Sequence, residues 1–189
     1  MLFSVGDINV KQDTETQQPL AVKTQGNISL KGKPKEALKK HLSVIKQGDI
    51  VNFVTSGRWS MHDLLFHLLS FTGPANVDIS TWSISELVVR QVLDFQRNGQ
   101  ILSCRFLLDK KVKVRNPAPL QLITQNFPHQ LIEIHAKVLL IQNYDWKITV
   151  IGSANMNQNR RVEAGVIFTQ KEIYDFNSDW YGKYFAANN

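Results

Sequence analysis

Three apolar segments follow one another closely near the C-terminal end: LIEIHAKVLLI, then ITVI, then EAGVIF. Their β-branched content and short length predict strands over 131–141, 148–151 and 163–168. Side chains alternate faces along a strand. Glu133, His135 and Lys137 therefore fall on one face, and Ile132, Ile134, Ala136 and Val138 on the other. A sheet covered on both sides favours apolar residues on both. Three ionisable groups in a row predict instead that this line opens onto water, a ligand or a partner. On the next strand Lys147, Thr149, Ile151 and Ser153 share a face, and Gly152 permits close approach of a backbone or ligand. Ser153 and Asn155 stand where the chain leaves the sheet. A turn near 143–146 would bring them close to His135 and Lys137. The resulting set is an imidazole that can attack or move protons, an ammonium that neutralises an anion, and a hydroxyl and carboxamide that donate to its oxygens.

The rest of the chain supplies a scaffold for such a face. Pro34 opens a helix carrying Leu38, Leu42 and Ile45, with Gly48 as its stop. Strands are predicted over 50–55, 76–81 and 101–108. Helices are predicted over 58–71, from the Ser83 cap through Leu87, Val88, Val92 and Phe95 toward a stop at Asn98-Gly99, and from Pro117 or Pro119 to Phe127. Two capping boxes stand out, Ser83 with Glu86 and Thr169 with Glu172. The second opens a terminal helix striped by Ile173, Phe176, Trp180 and Tyr184. This alternation predicts an α/β layered domain with a mixed sheet. Residues 1–45 read as an N-terminal arm with short strands at most, over 20–22 and 27–30, and 46–189 as the domain proper. No internal repeat is present.

Charge bears on partners. The chain carries 22 Lys and Arg against 16 Asp and Glu, a net charge of +6. The first 58 residues hold 9 against 5, and the remainder 13 against 11. The excess is thus concentrated around Lys31, Lys33, Lys35, Lys39 and Lys40, and leans toward a polyanionic partner. Cys104, the single cysteine, sits among apolar residues and reads as a buried, inert thiol, which excludes an intrachain disulfide. Neither a signal peptide nor an apolar run long enough to span a bilayer is evident, so a cytoplasmic location is expected. His62 and His67 are wrongly spaced to share one helix face, and the acids are scattered, so no metal site is expected. Trp59, Trp82, Trp146 and Trp180 read as core or interface residues, and His41, His62, His67 and His129 as structural or surface ones.

At His135-Ala136-Lys137, Asp145, the six residues WKITVI and then Gly152-Ser153-Ala154-Asn155, the chain resembles the phospholipase D superfamily. That family's signature is His-x-Lys, an apolar run, Asp, six residues, Gly-Ser and a following Asn. The Gly-Ser-x-Asn form is most similar to the small bacterial nucleases of the superfamily, which also carry a Glu opening the next strand; Glu163 holds that place here. One departure is the seven-residue VLLIQNY between Lys137 and Asp145, longer than the family's usual interval. A longer hairpin accommodates it, and Asp145 keeps its six-residue step to Gly152.

The resemblance implies a phospholipase D-like fold and cleavage of phosphodiesters without a metal or other cofactor, through a covalent phosphohistidine on His135. It implies that Lys137, Ser153 and Asn155 hold the phosphoryl group and that Glu163 orients His135. The family chemistry needs a second histidine as acid. With one motif per chain, it implies a homodimer in which two copies of His135 meet. Nucleic acid, DNA above all, is the implied substrate. A phospholipid substrate, or an accessory module that binds nucleic acid with little turnover, are the alternatives. Lys111, Lys113 and Arg115, on alternate positions after a strand, could form a stripe for a DNA backbone or a solvated sheet edge. Arg160 and Arg161, between Asn155 and Glu163, are further candidates for backbone contacts.

Overall fold

In the computed structural model, the structure describes residues 21–23, 38, 45–55, 57, 59–158 and 160–187. The strand expected over 27–30, the lysine cluster at 31–40 and most of the helix after Pro34 lie outside the described residues; Leu38 and Ile45 are buried in the core. Among the described residues the strands are β1 (Ala21–Lys23), β2 (Ile50–Val54), β3 (Ala75–Thr81), β4 (Ile101–Asp109), β5 (His129–Ile132), β6 (Val138–Gln142), β7 (Lys147–Gly152) and β8 (Ala164–Phe168). The helices are α1 (Met61–Thr72), α2 (Glu86–Arg97), α3 (Val112–Arg115), α4 (Pro117–Asn126) and α5 (Lys171–Ala186). The strands form one mixed sheet in the order β1-β2-β8-β7-β6-β3-β4-β5. β3, β4 and β5 run parallel, and β6, β7 and β8 run antiparallel to their neighbours. The expected α/β layered architecture with helices covering a central mixed sheet is what the chain adopts.

Both faces of the sheet are covered, which accounts for the near-continuous apolar runs. In β6, Leu139 and Ile141 pack into the larger core with residues of α1, α2 and α4, while Val138 and Leu140 pack with Tyr174 and Tyr181 of α5. In β4, Phe106 and Leu108 go to the first core and Leu107 to the second. Phe106 meets Phe127 edge-on, with ring centroids 5.1 Å apart. Cys104 is buried as expected, and burial pushes its thiol well above the usual range.

The terminal helix corrects one expectation. The predicted stripe is split: Ile173 and Trp180 are half-buried, Phe176 and Tyr184 face solvent, 70% and 55% exposed, and Tyr174, Asn177 and Tyr181 face the sheet. The reason lies in the sheet beneath. Arg105 forms a bidentate pair with Asp78, at 2.7 and 2.6 Å, and its guanidinium sits 5.4 Å from the Tyr181 ring centroid. The Tyr181 hydroxyl donates to the Arg105 carbonyl at 3.0 Å, and that of Tyr174 to Gln142 Oε1 at 2.9 Å. A semi-polar patch of sheet selects tyrosines, whose hydroxyls find partners, over phenylalanine.

Both expected capping boxes are also displaced. Helix α2 starts after Ser85, and Ser83 Oγ instead donates to Asn116 Oδ1 at 3.1 Å. Helix α5 starts after Gln170, while Thr169 Oγ1 donates to the Lys46 carbonyl at 2.6 Å. A capping box forms at α1, where the Ser60 amide donates to Asp63 Oδ2 at 2.9 Å. Beside it His62 is 3% exposed, with Nδ1 2.7 Å from Ser60 Oγ. Burial lowers the His62 pKa, partly opposed by Asp63. A histidine whose folded-state pKa is depressed leaves the unfolded chain binding more protons, so stability is lost as pH falls below its unfolded value of about 6.5 toward its folded one. His62→Gln is expected to flatten this loss. Urea midpoints at pH 7.5 and 5.5 check it, and an unchanged drop in the variant would assign the acid sensitivity to other groups.

Candidate functional site

The strand order determines where the His-x-Lys segment runs. β5 lies at the sheet edge and β6 beyond β4 and β3, so residues 133–137 cross the carboxyl ends of β4 and β3 to reach β6. The single strand expected over 131–141 is therefore two strands with an irregular crossing between them. Glu133, His135 and Lys137 do not share a strand face. Tertiary hydrogen bonds hold the crossing in place. Asp109 Oδ2 accepts from the Ile134 amide at 3.1 Å, Ser80 Oγ donates to the Ala136 carbonyl at 3.0 Å, and the Gly152 amide donates to the Lys137 carbonyl at 3.1 Å. β7, antiparallel to β6, ends at the same edge. The carboxyl ends of β3, β4, β5 and β7 thus converge where polar groups are needed, the position at which open α/β sheets place their ligand sites.

Four of the predicted residues sit on or beside this edge. Lys137 Nζ lies 2.8 Å from His135 Nδ1 and 3.2 Å from Nε2, and donates to the His135 carbonyl at 2.8 Å. His135 is exposed, whereas Lys137 is 8% exposed. Burial lowers the Lys137 pKa, partly opposed by the charge of Glu163. Ser153 follows directly on β7: its amide donates to the Ala164 carbonyl at 2.9 Å, and its Oγ accepts from the Ala164 amide at 3.1 Å. Asn155 is held from β3, with Oδ1 accepting from Thr81 Oγ1 at 3.3 Å. That contact leaves the Asn155 amide group to donate elsewhere.

Glu163 reaches the same edge from the start of β8, but its carboxylate accepts a hydrogen bond from Ser153 Oγ. Within one chain its partners thus include the predicted phosphate-binding hydroxyl. Its backbone is anchored to Thr55, whose amide donates to the Glu163 carbonyl at 2.7 Å. Asp145 is not brought to the others. It lies in the turn between β6 and β7, at the far end of the hairpin, with its carbonyl accepting from Gln47 Nε2 at 2.6 Å. Five residues of β6 separate the two ends, roughly 17 Å at the rise of an extended strand.

The basic residues divide. Lys111 and Arg115 do not continue an extended strand as their alternation suggested, because the chain turns after Asp109 into α3. Asp109 Oδ1 accepts the Lys111 amide at 2.9 Å and sets that turn. Lys110 and Lys111 line an open cleft of about 710 Å³ together with His135 and Glu133. The Arg115 guanidinium lies 4.1 Å from the ring centroid of Trp82, another residue of the cleft. Lys113 is exposed on α3 outside the cleft lining. Arg160 and Arg161 are exposed in the loop leading to Glu163. Trp82, expected in the core or at an interface, lines the cleft instead, and Ser80, Thr81 and Asp109 support the site with no local signal in the sequence beyond a place at or near strand ends.

No family model matches the chain, and no curated protein matches it in sequence. Its architecture is nevertheless shared with solved structures. Nuc, a phospholipase D family member from Salmonella typhimurium, is 12% identical with a TM-score of 0.50 over 65% of this chain and 86% of Nuc. NucT from Helicobacter pylori is 14% identical with a TM-score of 0.53 over 71% of this chain and 95% of NucT. Polyphosphate kinase from Porphyromonas gingivalis is 12% identical with a TM-score of 0.50; the match covers 69% of this chain and 25% of the kinase. The fold is that of phospholipase D family structures, as the motif resemblance implied. Among the described residues no helix is long and apolar enough to cross a membrane.

Proposed function

We propose that the chain is a metal-independent phosphodiesterase that cleaves nucleic acid, DNA above all, at a site shared by two copies. The observation that carries this reading is the His135–Lys137 pair, with Nζ 2.8 Å from Nδ1, held beside Ser153 and Asn155 at the converging strand ends. An exposed imidazole next to a largely buried ammonium is an arrangement suited to an anionic electrophile. Once a phosphate displaces the imidazole from Lys137, the ammonium neutralises phosphoryl oxygens and the carboxamide of Asn155 donates to them.

In this reading a ring nitrogen of His135 attacks phosphorus and forms a P–N bond while the P–O bond to the leaving group breaks. The partner subunit's His135 protonates the departing oxygen. It then takes a proton from water, which attacks phosphorus and releases His135. One imidazole cannot be nucleophile and acid in the same step, so a chain with one motif requires a second copy. Ser153 and Glu163, hydrogen-bonded to each other, fix the β7 and β8 ends that flank the phosphate. In the assembled dimer Glu163 orients His135, and Arg160 and Arg161, with Lys111, Lys113 and Arg115, provide contacts for a nucleic-acid backbone.

Cleavage of plasmid and oligonucleotide substrates is expected to proceed at an unchanged rate in excess chelator. Cleavage abolished by chelator and restored by a divalent ion would sink the metal-free mechanism. Hydrolysis confined to phospholipid vesicles, or tight nucleic-acid binding with no cleavage, would replace the substrate or the activity.

A further inference from the structure

We propose that Trp82 is a stacking platform for an unpaired nucleobase next to the phosphate at His135, which makes single-stranded nucleic acid the substrate class; this rests on the phosphodiesterase reading above. Trp82 is the first residue after β3, half-buried, and it lines the same cleft as His135, Lys110 and Lys111. Its ring centroid lies 5.8 Å from that of His135, with the planes inclined at 57°. The two rings therefore do not stack on each other, and a group bound at His135 lies beside the indole. The Arg115 guanidinium lies over one face of the indole, 4.1 Å from its centroid, a cation–π contact that fixes the ring plane in advance of binding.

An aromatic ring fixed beside a nucleophile suits a substrate that carries a flat π-system next to its phosphodiester. A nucleobase is such a group, and stacking tolerates any base because each has a π-face. In a duplex the bases are already stacked on their neighbours, so only an unpaired or extruded base reaches the platform. The charges of the cleft are disposed accordingly. Lys110 and Lys111 are exposed there and suit flanking phosphates. Asp109 spends its carboxylate on the amides of Lys111 and Ile134, at 2.9 and 3.1 Å. Glu133 is the exposed carboxylate of the cleft and repels a backbone, which directs the strand toward the lysines.

Binding can be read without turnover in the His135→Ala protein, by fluorescence anisotropy with a labelled oligothymidylate strand, an abasic strand of equal length and a duplex. The thymidylate strand is expected to bind about tenfold tighter than the abasic one, the effect of roughly one stacked base, and tighter than the duplex. Adding Trp82→Phe should keep most of that preference. Trp82→Leu, which retains apolar bulk for packing but no π-face, should abolish it. Equal binding of thymidylate and abasic strands, a preference that survives Trp82→Leu, or tighter binding of the duplex would each overturn the proposal. Cleavage of the abasic strand by the wild-type protein reports separately on the phosphodiesterase reading, since that strand has every phosphate and no base.

Discussion

Replacing His135 by alanine is expected to reduce phosphodiesterase turnover by on the order of a thousandfold or more, the loss typical when a nucleophile that also serves in proton transfer is removed. The fold should survive. His135 is exposed on a crossing whose backbone is held by the Asp109 carboxylate, the Ser80 hydroxyl and the Gly152 amide, and none of these bonds uses the imidazole. An unchanged melting temperature with lost cleavage separates chemistry from folding. Co-expression sharpens the result. If two copies share one site, mixed dimers of wild type and His135→Ala have one histidine where two are needed. Activity per wild-type chain should then fall as the variant is co-expressed in excess. Activity that tracks only the number of wild-type chains would show that each chain works alone, and retained cleavage by the variant itself would remove His135 as the nucleophile.

The second large effect is expected at Gly165. In the β7–β8 pair this residue stands opposite Gly152. A Cβ built on Gly165 would lie 2.4 Å from Phe53 Cζ, 2.6 Å from the Ile151 carbonyl oxygen and 3.0 Å from the Gly152 Cα. Two of these neighbours are backbone, so a side chain forces the strands apart. By contrast, a Cβ at Gly152 would chiefly meet the end of the Met61 side chain, which can move. Gly165→Val is therefore expected to destabilise the protein by about 3 kcal/mol, a drop in melting temperature of about 6–12 °C for a domain of this size. It should also reduce activity in the remaining folded molecules, because β7 and β8 hold Ser153 and Glu163. Thermal denaturation and cleavage assays below the transition check both. A variant as stable and active as wild type would mean that the β7–β8 spacing is not set by this contact.

The architecture was largely legible in the residues. The apolar runs of 138–142 and 147–152 bury side chains on both faces, and short runs so poor in polar residues have few alternatives to a covered strand. Helices α1, α2 and α4 lie close to where apolar spacing and Pro117 put them. The candidate site was legible as a set of residue types. An imidazole, an ammonium, a hydroxyl and a carboxamide at strand ends imply an anion, and the structure places His135, Lys137, Ser153 and Asn155 at one sheet edge.

What the residues could not reveal was decided by partners distant in the chain. Alternation made 131–141 one strand. Strand order and the capture of the Ile134 amide by Asp109, 25 positions earlier, break it into a crossing. The six-residue step from Asp145 to Gly152 suggested a shared site, but an antiparallel hairpin sends the two to opposite ends. Apolar spacing chose Ile173, Phe176, Trp180 and Tyr184 as the stripe of α5, of which Phe176 and Tyr184 face solvent. The Arg105–Asp78 pair on the sheet beneath selected Tyr174 and Tyr181 instead. The place of Trp82 just beyond β3 was its one local signal, and its meaning comes from Arg115 and His135, which reach it from two other segments. Sequence by itself determined which segments form the buried sheet and which chemistry stands at their ends, since strand formation and burial of apolar runs depend on each residue's own side chain and its near neighbours. Only the tertiary structure decided which exposed groups meet, because that depends on the order of strands in the sheet, a property no local pattern encodes.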